Sequence, residues 1–87
     1  KKIRVGKINL GKIQLFIEQK KINKSEKISL DLLKKLKIIN KNSIKLKILG
    51  FGEVKEKINI EADLFSKSAK IKLEKIGGTF QLSKSNN

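Results

Sequence analysis

A formal net charge of +14 on 87 residues is the constraint that any fold of this chain must satisfy. Lys+Arg number 22 against Asp+Glu 8. A field of one sign opposes compaction, so such a charge makes physical sense beside a polyanion. A chain of this length forms one domain and buries only about two-thirds of the surface its unfolded form exposes, so the core is small. Cysteine is absent, which removes disulfides and thiolate metal sites as supplements to that core. The longest uncharged apolar stretch is a handful of residues, far below the ~20 a helix needs to cross a bilayer. A membrane protein, a disulfide miniprotein and a carrier of neutral small molecules are therefore not expected.

Histidine, tyrosine, tryptophan, methionine and proline are absent as well. Without His and Cys the chain lacks the commonest general base and the strongest neutral-pH nucleophile. It also lacks the preferred ligands of zinc and copper, and neither metal nor cofactor is expected. Of the basic residues, 21 are lysine and only Arg4 is arginine. Lysine acts as a point charge, where arginine offers a planar fork, so the pattern suits backbone phosphate better than base edges. An AT-rich genome, which favours Lys, Ile and Asn codons, accounts equally well for lysine over arginine; it does not account for the excess over acids. With no methionine, Lys1 is not a natural start, and the chain is expected to begin inside a longer product or after a removed segment.

Periodicity predicts a mixed α and β domain with a small sheet and two or three helices. Residues 1–12 alternate apolar and basic types (Ile3, Val5, Ile8, Leu10) around Gly6 and Gly11, as in a half-buried strand or extended arm. Ile13, Phe16 and Ile17 suit a short helix from Lys12 to Lys21, followed by a polar connection over 22–28. Ser29 is a good N-cap for a second helix with Asp31 in its first turn and a stripe of Leu32, Leu33, Leu36 and Ile39. Ile44, Leu46 and Ile48 alternate with Ser43, Lys45 and Lys47, as in a strand with lysines towards solvent. Gly50-Phe51-Gly52-Glu53 reads as the turn of a hairpin whose return strand is Lys57–Ala62. Ser66 caps a helix through Ile76, Gly77-Gly78 stops it, and Thr79–Leu82 makes a last short strand. The boundaries are a basic arm or strand over 1–12, a globular domain over 13–82 and a polar tail over 83–87.

From Lys47 to Gly78 the order is specific: Lys-Ile-Leu-Gly-Phe-Gly-Glu, a basic return strand, Phe65-Ser66-Lys67-Ser68-Ala69, Leu73, then Ile76-Gly77-Gly78. This run resembles the C-terminal signature of the bacterial-type large-subunit ribosomal protein L fifteen family. Upstream, Ile8-Asn9-Leu10-Gly11-Lys12-Ile13 is similar to that family's Val-Asn-Leu-Gly segment. Ile28-Ser29-Leu30-Asp31-Leu32-Leu33-Lys34 is similar to its Thr-Leu-x-x-Leu-Lys helix. The resemblance covers residues 3 to about 82, with the elements in family order. It implies an irregular β-β-α arrangement and a structural, non-enzymatic protein of the large subunit. Its partners would be large-subunit ribosomal RNA and neighbouring ribosomal proteins, on the ribosome of an AT-rich bacterium, a mitochondrion or a plastid. Family members also carry a long Gly/Arg/Lys-rich extension that threads through RNA; here only the basic stub at 1–7 stands in its place.

The candidate RNA contacts are Lys1, Lys2, Arg4 and Lys7 on the stub, Lys45 and Lys47 on the strand, and Gly50, Phe51 and Gly52 in the turn. Ser66, Lys67, Ser68 and Lys70 join them at a helix start, where free N–H groups and lysine suit phosphate. Each has a plain structural reading beside it. The glycines make a turn or admit RNA backbone, Phe51 folds back over the hairpin or stacks on a base, and Ser66 is an N-cap with or without a phosphate. Phe16, Phe65 and Phe80 fall at core positions. Glu61 and Asp63 share a strand face; they balance Lys57 and Lys67, or they hold Mg²⁺ in a nuclease. Against the ribosomal reading stands a free-standing basic module, such as a nucleic-acid chaperone or a membrane-surface binder.

Overall fold

A computed structural model describes residues 4–82. The first apolar–basic stretch pairs as a strand, β1 (Val5–Asn9), only as far as Asn9. There the Asn9 side chain accepts the Lys12 N–H (2.8 Å) and caps α1 (Leu10–Glu18), so the helix starts two residues before the expected Lys12. The inward positions of β1 are Gly6 and Ile8, and a Cβ on Gly6 would collide with the Ile39 side chain. After β2 (Lys27–Ile28), Ser29 caps α2 (Leu30–Lys35) by accepting from Leu32 N–H. That helix is shorter than its apolar stripe. Lys37 turns into the left-handed region (φ 64°), and Ile38 N–H closes on Leu33 O at 2.9 Å. Leu36 is therefore left at the surface, and Ile39 reaches the core from the loop beyond.

β3 (Lys45–Leu49) buries Leu46 and Ile48, whereas Ile44, expected on the same face, precedes the strand and is 61% exposed. β4 (Asn59–Ala62) buries Ile60 and Ala62, with Ile58 beside them. β5 (Leu64–Phe65) leads into α3 (Lys67–Lys75), and β6 (Thr79–Leu82) follows. Every pairing is parallel: β1-β3-β5 form the first sheet and β2-β4-β6 the second. Odd strands lie in one sheet and even strands in the other, so each connection carries the chain across.

The expected hairpin is accordingly absent. Both edges of β3 are taken, by β1 and β5, so a returning strand has no edge to join, and residues 50–58 run over to the second sheet instead. The reverse step, from β4 to β5, takes one residue. Asp63 N–H donates to Leu46 O, and its carboxylate accepts from Leu46 N–H, both at 2.9 Å. One cluster of buried side chains joins the sheets, including Ile8, Leu10, Ile13, Leu46, Ile48, Ile60 and Leu73. Phe16, Phe65 and Phe80 pack against it, the last two with ring centroids 5.1 Å apart.

The end of α3 follows the sequence closely. Gly77 is left-handed (φ 77°), with Gly77 N–H on Glu74 O and Gly78 N–H on Leu73 O (2.9 Å). Gly77→Val is therefore expected to destabilise the domain by at least about 1 kcal/mol, since a side chain there meets the steric cost of positive φ. Lys75→Ala, at an exposed position, should stay within about 0.5 kcal/mol of the parent. Urea unfolding compares them, and equal midpoints would contradict this helix end.

Candidate nucleic-acid interface

Three parallel strands of the first sheet end together, at Asn9, Leu49 and Phe65. Two of them run straight into helices: Asn9 caps α1 and Ser66 caps α3. The central strand β3 runs into Gly50-Phe51-Gly52, so this loop passes between two helix starts. The carboxyl end of parallel strands is where α/β sheets usually bind ligands.

Backbone meets backbone on both sides of the loop. Gly50 is buried against α3; a Cβ there would lie 2.5 Å from Ala69 N and would collide with the Ser68 side chain. Gly52 is left-handed (φ 83°), and its Cβ would lie 2.6 Å from Gly11 Cα at the start of α1. Hydrogen bonds hold these seats: Gly50 N–H to Ser66 Oγ at 3.0 Å, Gly11 N–H to Phe51 O at 3.0 Å, and Lys72 Nζ to Gly52 O at 2.6 Å. Further along, Lys55 N–H donates to the buried Gln14 Oε1 (2.8 Å). Gly52 thus has the positive φ that a turn glycine supplies, while Gly50 is a close-approach glycine.

What this end offers to solvent is an aromatic side chain and several cations, with the exposed Glu53 carboxylate held by Lys72 at 3.2 Å. Phe51 is 79% exposed, so its ring covers nothing; the fold-back over a hairpin fails with the hairpin. Lys12 stands at the start of α1, and Lys67, Ser68 and Lys70 at the start of α3, all exposed. The Lys67 and Ser68 amides occupy the first helical positions, which have no intrahelical acceptor. Ser66 is a joint: its oxygen accepts from both Gly50 N–H (3.0 Å) and Ala69 N–H (3.2 Å).

The outer face of the same sheet carries the remaining candidates. Register sets Lys7 beside Lys47, Lys47 beside Leu64, and Val5 beside Lys45. Like charges side by side on a sheet repel. Among the described residues the ion pairs are Lys24–Glu56, Lys27–Glu61 and Lys72–Glu53, and none uses Lys7, Lys12, Lys45, Lys47, Lys67 or Lys70. Lys7 and Lys47 lie two residues, or about 7 Å, from the strand ends. Lys7, Asn9 and Lys12 line one cleft of about 240 Å³ with Phe16, which links face to end.

Arg4 is exposed just before β1, its carbonyl accepting from Ile44 N–H (2.9 Å). Lys1 and Lys2 lie outside the described residues, as does the 83–87 tail. Lys12 was missed by the sequence reading, although Asn9, an N-cap type three residues before it, carries the signal. Glu61 pairs with Lys27 (2.9 Å) and Asp63 with the Leu46 amide, rather than with Lys57 and Lys67. Among the described residues no group of three or more acidic, His or Cys side chains could hold a metal.

Comparison with known proteins is consistent along the whole of this architecture. Residues 7–81 match the family model for ribosomal proteins 50S-L15 and 50S-L18e and their 60S counterpart. The large ribosomal subunit protein uL15 of Pelagibacter ubique is 68% identical over 77 residues, which is 88% of this chain and 50% of that protein. The uL15 proteins of Prochlorococcus marinus (41% over 75 residues; 86% of this chain, 45% of the relative) and Borreliella afzelii (36% over 81; 93% and 52%) are also similar. The chain spans about half the length of the curated relatives it matches.

The glycine seats make a graded expectation. Gly50→Ala and Gly52→Ala should each cost about 1–3 kcal/mol, because the new methyl meets backbone that cannot move aside. Gly11→Ala should be near neutral: its Cβ would meet Gly52 Cα at a tight but tolerable 3.2 Å, and alanine gains about 1 kcal/mol over glycine within a helix. Urea denaturation of the three variants checks the order, and an unperturbed Gly50→Ala would mean the loop is not seated on α3.

Proposed function

The chain belongs to the family of ribosomal proteins 50S-L15 and 50S-L18e and their 60S counterpart, and from that premise we propose that it is a structural constituent of the large ribosomal subunit. In this reading it turns over no substrate. It binds folded large-subunit ribosomal RNA through lysine–phosphate contacts and sits beside neighbouring ribosomal proteins. The 68% identity with a bacterial uL15 favours the ribosome of an AT-rich bacterium over that of an organelle, and family membership favours the ribosome over a free-standing basic module.

The observation that carries the RNA-binding part is a run of cations, outside the ion pairs of the described residues, along one end and one face of the first sheet. Lys12, Lys67 and Lys70 stand on the first turns of the two helices between which the loop passes, and Lys7, Lys45 and Lys47 continue onto the outer face. Outside the ion pairs of the described residues, Lys7 and Lys47 repel each other across the β1–β3 pair until a polyanion arrives. The phosphate backbone supplies it and releases its own counterions on contact. The exposed first-turn amides of α3 add hydrogen-bond donors that suit phosphate oxygens. Phosphate contacts of this kind fix position and orientation without reading sequence. That is the work required of a small domain holding RNA segments in register.

Two measurements test this. The domain should bind RNA with steep salt dependence; if about five phosphates are neutralised, the log–log slope should be about −3.5 to −4.5. Lys67→Glu, Lys70→Glu and Lys47→Glu should reduce incorporation into large subunits while circular dichroism stays unchanged. Lys20→Glu and Lys21→Glu, beyond the far end of α1, should be tolerated better. A slope near zero, or the reverse ranking of the variants, would overturn the proposed interface.

A further inference from the structure

Phe51 is a large apolar side chain that the fold holds away from its own core. The residue is 79% exposed, and the backbone on each side is seated, with Gly50 against Ala69 and Gly52 against Gly11. Its own carbonyl accepts from Gly11 N–H at 3.0 Å. The ring is therefore presented to solvent from a backbone that is held in place on both sides. A rigid aromatic presented to solvent in this way serves as a platform for a partner.

The surroundings decide the partner's chemistry. Lys12 and Lys67 lie one residue from Gly11 and Ser68, the helix-start residues on which the loop is seated, and both are exposed and outside the ion pairs of the described residues. A chain of net charge +14 draws anionic partners, and a nucleotide combines a flat π face with an anionic phosphate a short distance away. Resting on the RNA-binding reading above, we infer that Phe51 stacks on an unpaired nucleobase of the bound RNA while Lys12 and Lys67 engage its adjacent phosphates. Bases within an A-form helix are already stacked, so the substrate is a loop, bulge or single strand. The site would then discriminate unpaired from paired RNA, which lysine–phosphate contacts alone do not.

The test uses the whole chain with a labelled 12-nucleotide oligoadenylate, an abasic oligomer of equal charge and a duplex of equal length. Phe51→Ala should weaken oligoadenylate binding by roughly 5- to 150-fold, the range for losing one base–aromatic stack. It should leave the abasic and duplex affinities, the salt slope and the unfolding midpoint unchanged. The chain has no Trp or Tyr, so Phe51→Trp introduces a single indole whose emission should be quenched by oligoadenylate and not by the abasic oligomer. Equal oligoadenylate affinities for the parent and Phe51→Ala, or no quenching, would overturn the stacking while a steep salt slope left the electrostatic reading intact. A flat slope would instead overturn that reading. If Phe51→Ala bound every RNA normally yet failed to enter large subunits, the ring would belong to a protein neighbour and the stacking inference would be wrong.

Discussion

The contact on which the rest depends is the passage of one loop between two helix starts. Residues 50–52 leave the central strand of the first sheet and run between α1 and α3 at backbone contact distance, with Gly52 on Gly11 and Gly50 on Ser68 and Ala69. That passage fixes the spacing of the two helices and, through them, the positions of Lys12, Lys67 and Lys70. It also lets the chain cross to the second sheet, which every odd strand must do here. A side chain at either seat would push a helix away from the end of the sheet. Fold and candidate interface therefore share one structural cause.

Much of the local structure was legible in the sequence because it rests on short-range chemistry. Ser29 and Ser66 cap their helices, Gly77 takes the left-handed stop, and Leu46, Ile48, Ile58, Ile60 and Ala62 are buried as their alternation implies. What was not legible is pairing. A period of two announces a strand but does not say which edge it joins. A Gly-x-Gly between two such strands looks the same whether the chain turns back or crosses over. Gly50 shows the difficulty most sharply. Its letter is that of a turn residue, yet its role comes from Ala69, nineteen positions away in the chain and touching it in the fold.

The candidate interface was legible by residue type and illegible by grouping. Ser66, Lys67, Ser68 and Lys70 are neighbours in sequence and remain neighbours in space. Lys7 and Lys47 are forty residues apart and become adjacent only through the β1–β3 register. Lys12 joins the group because Asn9 ends the strand early and starts α1 at the sheet's carboxyl end. The carboxylates were misassigned for the same reason. Glu61 meets Lys27 across the β2–β4 pair, and Asp63 is engaged by backbone where the chain changes sheets.

Ion pairing is unevenly placed over the molecule. Glu61 and Glu56 meet Lys27 and Lys24 around the second sheet and the crossing that leads to it, and the exposed Glu53 meets Lys72 where the loop ends. The outer face of the first sheet and its carboxyl end hold lysines that enter no ion pair among the described residues. Exposed pairs of this kind contribute little to stability, about 0–1 kcal/mol each, so their main effect is on the shape of the field. They cancel a little charge beside the second sheet and leave the lysines of the first-sheet face and end uncompensated, while the net charge of +14 draws the domain towards a polyanion before contact. Binding then relieves the repulsion between Lys7 and Lys47, and any ligand that prefers the folded state stabilises it by mass action. In a domain with so small a core, folding and the binding of a polyanion would thus be coupled through the same lysines.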